Sequence, residues 1–126
     1  MAIDLTLLRA DRGTLDPEDA RAAISQLFPG IEFSEGEDPQ IRFQQLSALK
    51  TPQVILDVYK NKTQNYEGTV ETENGSIYVE FPSREPFESA VIEVRGSDPF
   101  NGIIGPIIQS EEWTLNGPDG TPIDAL

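Results

Sequence analysis

The sequence predicts an α+β fold: an antiparallel sheet of about five strands, with one N-terminal amphipathic helix at about residues 17–28 packed on one face. Three observations carry this. The run Tyr66–Phe81 alternates apolar with acidic or polar residues on either side of Asn74-Gly75, the dipeptide suited to a tight hairpin turn. Asp16-Pro17-Glu18-Asp19 is a helix start, and Ala20, Ala23, Ile24, Leu27 and Phe28 follow it at spacings of three and four. Alternating segments at 2–9 and 90–95 supply further strands.

The first strand places Ile3, Leu5 and Leu7 on one face and Asp4, Thr6 and Leu8 on the other. Asp16 then caps the helix, Pro17 takes its first position, and Glu18 and Asp19 sit at the positive end of its dipole. Pro29-Gly30 stops it. Ile31-Glu32-Phe33 reads as a short strand and 34–39 as a loop. Residues 40–50 read as a strand running into a helical turn. Val54, Leu56 and Val58 alternate with Ile55, Asp57 and Tyr59, which predicts a well-buried strand.

In the hairpin, a type I′ turn at Asn74-Gly75 would set Val70 opposite Val79 and Gly68 opposite Phe81. One face then gathers Val70, Ile77, Val79 and Phe81, the other Glu71, Glu73, Tyr78 and Glu80. Ala90, Ile92 and Val94 mark a third antiparallel strand, with Glu93 on its other face. Gly105-Pro106 should interrupt the helical spacing of Ile103, Ile104, Ile107 and Ile108. That predicts an irregular 96–106, a last strand over 107–115, a turn at 116–120 and a loose tail of six residues.

At 126 residues the chain fits a single acidic domain. It has no cysteine and no histidine, which excludes disulfides, thiolate nucleophiles, the usual general base and the commonest transition-metal ligands. Its serines therefore have no histidine to activate them. There is no Gly-x-Ser-x-Gly elbow and no phosphate-binding glycine loop. Net charge is −13, from 22 acidic and 9 basic residues. Residues 63–126 alone hold twelve acids against Arg84 and Arg95. Such a surface repels nucleic acid and anionic lipid and steers toward basic partners; the competing explanation is solubility alone. The N-terminus lacks a basic, apolar leader, and no window is apolar enough to span a bilayer, which implies a cytoplasmic protein.

Three acidic clusters deserve weighing. Glu35, Glu37 and Asp38 could offer oxygens to a hard cation but lack calcium-loop spacing, and Asp119 with Asp124 reads as turn chemistry. Neither a metal nor a cofactor is expected. The third cluster is Glu71, Glu73, Tyr78 and Glu80 on the hairpin, joined by Glu93. Glycoside hydrolysis by a carboxylate pair needs an apolar hollow around the acid, whereas an alternating strand face is flat and wet. The leading expectation is a non-enzymatic acidic binding protein. Its sharper form is an inhibitor or immunity-type protein that neutralises a basic partner, such as a nuclease or toxin, through this face. The alternatives are an acidic secretion-type chaperone acting as a dimer and a small carboxylate-dependent hydrolase.

Overall fold

The chain forms a six-stranded antiparallel sheet with four α-helices, described in this computed structural model for residues 2–36, 38–60, 64–96 and 100–123. In chain order the elements are β1 (Ala2–Arg9), α1 (Pro17–Leu27), β2 (Ser34–Glu35), α2 (Pro39–Ala48) and α3 (Gln53–Lys60). They continue with β3 (Asn65–Thr72), β4 (Gly75–Pro82), β5 (Ala90–Gly96), α4 (Gly105–Ile108) and β6 (Trp113–Asn116). The strands lie side by side in the order β2-β3-β4-β5-β1-β6.

Period-two patterning aims Leu5, Leu7, Ile77, Val79, Phe81, Ile92, Val94 and Leu115 at one face, where all are buried. Helix α1 begins where its cap predicts: the Asp16 carboxylate accepts from the Glu18 N–H at 3.4 Å. Ala20, Ile24 and the following Phe28 join the core. A row of edge-to-face rings, Phe33–Phe81–Phe87–Trp113, runs through this layer at centroid spacings of 5.1, 5.8 and 6.0 Å.

The hairpin forms with Ile77, Val79 and Phe81 buried and Val70 packed against them, yet its register differs from the predicted one by two residues. Val70 faces Ile77, Gly68 faces Val79, and Thr72 faces Gly75, so Glu73 and Asn74 make the turn. None of the turn residues has positive φ, so no I′ turn forms. A two-residue slip leaves every side chain on its own face, and the apolar pattern therefore could not detect it. Contacts far along the chain decide it. Gly75 pairs with Gly96 of β5, whose φ is +82° and where a Cβ would stand 1.9 Å from the Asn74 carbonyl oxygen. On the other side, a Cβ on Gly68 would come within 2.9 Å of Ile31, Glu32 and Phe33, which cross over β3.

The strands expected at 40–50 and 54–58 are helices α2 and α3. The alternation in 54–59 was incomplete, because Ile55 and Tyr59 fill the phase a half-buried strand would make polar. Capping decides instead. Asp38 accepts from the Gln40 N–H at 2.9 Å, Pro39 takes the first turn, and Gln53 Nε2 donates to Asp57 at i+4 over 2.8 Å. The two helices pack on each other through a connection in which Lys50 has φ +56°, and none of their described side chains belongs to the buried core.

Three further boundaries move. The strand expected at 31–33 lies at Ser34–Glu35 as β2. Gly105-Pro106 opens a helix rather than breaking one. A π-helical turn at Phe100–Ile104 leads into α4, and Pro106 occupies the first turn, where its missing N–H leaves no ladder bond unmade. Strand β6 is consequently shorter than 107–115. Of the expected loose tail, Thr121–Ile123 is tied down: Ile123 N–H donates to the Leu115 carbonyl at 2.7 Å and Gly117 N–H to that of Thr121 at 2.9 Å. Residues 124–126 lie outside the described residues.

Candidate recognition surface

The face of the sheet turned away from α1 is built by the alternate residues of each strand. One row crosses all six strands as Ser34, Glu67, Glu80, Val91, Thr6 and Asn116. The next carries Thr69, Tyr78, Glu93 and Asp4, and a third Glu71, Ser76 and Arg95. Five carboxylates thus share this face with a single guanidinium.

Glu67 and Glu80 stand directly opposite each other, a pairing that mutual repulsion disfavours. Polar hydrogens offset it. The Tyr78 hydroxyl donates to Glu80 Oε2 at 2.5 Å, with Glu67 as a second acceptor beside it, and Asn65 Nδ2 donates to Glu80 Oε1 at 2.9 Å. Partial burial, followed by the hydrogen bond to Glu80 and the charges of Glu80 and Glu67, pushes the Tyr78 phenol well above its ordinary range. The phenol is therefore a fixed donor at any physiological pH. On the neighbouring strand Arg95 Nε holds Glu93 Oε1 at 2.5 Å.

Of the residues expected to form the surface, Tyr78, Glu80 and Glu93 are brought together, each half-buried. Glu71 lies on the same face toward the turn, exposed, and Glu73 is exposed in the turn itself. Glu67 and Asp4 were missed. The predicted register sets Glu80 against Thr69, so only the true one reveals Glu67, and Asp4 arrives because β1 lies beside β5.

The other clusters are accounted for locally. Glu35 accepts from Ser83 Oγ at 3.3 Å and Arg84 Nε at 3.1 Å, Asp38 caps α2, and Glu37 lies outside the described residues. Asp119 accepts from the Thr121 hydroxyl and N–H, which lowers its pKa; Asp124 lies outside the described residues. Among the described residues no three carboxylates converge closely enough to hold a metal ion. Trp113 is buried beneath the Arg9 guanidinium, 5.1 Å from its centroid. On the helix side, Tyr66 donates to Glu18 while Arg21 lies over the tyrosine ring; that bond draws the Glu18 carboxyl below its usual value.

Among the hollows of the described residues, one of about 290 Å³ lies between Pro82, Glu85, Pro86, Glu88 and Ser89, and another of about 330 Å³ beside Arg21, Ser25, Glu32 and Phe33. Neither includes the facing carboxylates. No described helix is long and apolar enough to cross a membrane. Compared with models of known protein families, with curated proteins and with solved structures, the chain matches none.

Proposed function

We propose that this is a non-enzymatic binding protein that captures a basic protein partner, as inhibitors and immunity proteins of nucleases and toxins do, through the outer sheet face. The observation that supports it is the Glu67–Glu80 pair held open by Tyr78, with Glu93, Asp4 and Glu71 around it. Like charges are brought together on a rigid sheet and kept there by hydrogen bonds. A cation arriving from a partner relieves that repulsion while the face itself loses little conformational entropy. The flat, open setting weighs against the hydrolase alternative, which needs an acid enclosed in apolar surroundings. Nucleic acid and anionic membranes fit the face poorly for the same electrostatic reason.

The test uses a partner recovered from the native host on immobilised wild-type protein. Its association rate should be fast at low salt and fall steeply as the screening length shortens to about 8 Å. A variant carrying Glu71→Lys and Glu73→Lys, both exposed, should associate at least about tenfold more slowly with its thermal melt nearly unchanged. Equal rates for the two proteins, or a rate indifferent to salt, would reduce the acidity to a solubility device.

A further inference from the structure

The chain treats the two edges of its sheet differently. β6 is covered by its own continuation: Ile123 N–H donates to the Leu115 carbonyl, and Pro122 bridges to Asn116. At the other edge β2 is two residues long and pairs only with Tyr66 and Glu67 of the eight-residue β3. Ile31, Glu32 and Phe33, which precede β2, leave the edge and pass Gly68 on its core side, where a Cβ would stand 2.9 Å from each of them. Among the described residues nothing pairs with Thr69–Thr72 on the side away from β4.

The phase of the ladder says which backbone groups that leaves open. Ser83 N–H donates to the Gln64 carbonyl, and Gly36 N–H to that of Asn65. Antiparallel strands alternate hydrogen-bonded and non-hydrogen-bonded pairs, so the even-numbered residues of β3 direct their backbone groups to β4 and the odd-numbered ones outward. The N–H and C=O of Thr69 and of Glu71, both exposed residues, therefore point out of the sheet. Such a row is a template for another strand.

Charge decides which strand. Thr69 lies between Glu67 and Glu71 along β3, and Glu73 follows in the turn. No ion pair among the described residues involves these three carboxylates, and Arg95, two strands away from Glu71, holds Glu93. A long cationic side chain opposite Thr69 would reach both Glu67 and Glu71, diagonal neighbours about 7–8 Å away. Val70, half-buried between Thr69 and Glu71, turns the other way, toward the core. A second copy fits badly: an antiparallel β3–β3 pair centred on Val70 would set Glu67 of each chain against Glu73 of the other.

We infer that the open edge of β3 is a strand-addition site for an extended basic segment of the partner. The segment lies antiparallel beside Thr69–Thr72, in line with β2. It places a lysine or arginine opposite Thr69 and another opposite Glu71, with an apolar residue between them beside Val70. The inference rests on the reading of the partner as basic and adds how that partner is held.

The probes are capped nonapeptides titrated into the whole protein, followed by amide exchange and chemical shifts. One alternates lysine with valine, a second is the same peptide N-methylated at its lysines, and a third has serine for lysine. The first should slow exchange at Thr69 and Glu71 at least about tenfold, and the second should not, since methylation removes the N–H groups that pair. The third should bind at least about tenfold more weakly at low salt. Thr69→Pro removes an N–H that β4 does not use and should weaken the first peptide at least about tenfold, whereas Thr69→Ser should leave it unchanged within about twofold. Near-ultraviolet dichroism of buried Trp113 reports whether each variant keeps its core, and the peptide comparison on wild type decides even if Thr69→Pro unfolds. Equal affinity for the methylated and unmethylated peptides overturns strand addition and leaves the basic-partner reading standing. Equal affinity for the serine and lysine peptides overturns both. No binding of the lysine peptide at about 1 mM overturns the site, as does protection of Thr69 and Glu71 that grows with protein concentration alone, which would give the edge to a second copy.

Discussion

Tyr78 shows how one side chain can make an unfavourable charge arrangement tolerable. Its hydroxyl donates to Glu80, which faces Glu67 across the strands, and Tyr78→Phe would leave Glu80 with the Asn65 donor but without the phenol. The loss should be about 1 kcal/mol at neutral pH, read from urea melts. Because the folded phenol holds its proton more tightly than the unfolded one, whose value is 10.0, its contribution is complete below that pH and disappears as pH rises above it. Absorbance titration of the native protein should accordingly show a late tyrosine step that Tyr78→Phe removes. Gly96 is a second single-residue constraint. Gly96→Ala forces a Cβ to 1.9 Å from a carbonyl oxygen at positive φ and should cost roughly 3 kcal/mol. Gly30→Ala, at φ +85° with no atom within 4 Å, should cost only about 1 kcal/mol. Neither constraint was legible in the sequence, since Gly96 matters only because Asn74 crosses above it and Glu67 only because it faces Glu80.

At the scale of elements, the parts stabilised by a one-sided apolar pattern were readable: β1, α1, the hairpin strands and β5. In each the buried residues keep one strict period, and the structure buries them. Val79→Asp should therefore cost roughly 3 kcal/mol or more, against less than about 0.5 kcal/mol for exposed Glu71→Gln. Comparable urea-melt losses for the two would mean the faces are reversed. Helices α2 and α3 were misread because the buried core does not select their periodicity; Ile41, Val54, Ile55 and Val58 are exposed, where a strand and a helix look alike. The same fact predicts a contrast in stability. Ile24→Ala in α1 should cost about 2–5 kcal/mol, whereas Val54→Ala in α3 should hardly move the melt of the monomer.

For the molecule as a whole, composition foretold an antiparallel α+β protein with strong negative charge. It could not foretell strand order, because period-two patterning says which face a strand buries and nothing about its neighbours. A chain of net charge −13 repels itself when compact, so added sodium chloride should raise the melting temperature even without a specific ion site. The strand order has one more consequence. β1 ends at Arg9, but its two neighbours, β5 and β6, begin at Ala90 and Trp113. At a ribosomal pace of roughly 5–20 residues per second, this apolar strand is synthesised on the order of 4–16 s before its first partner. Folding during synthesis must therefore begin elsewhere, in α1 and the β3–β4 hairpin, and end with the insertion of the oldest segment between two of the youngest. In a fragment of residues 1–89, β1 should fail to acquire slow amide exchange, because it has no strand to join, and nascent chains of that length should be where chaperones bind.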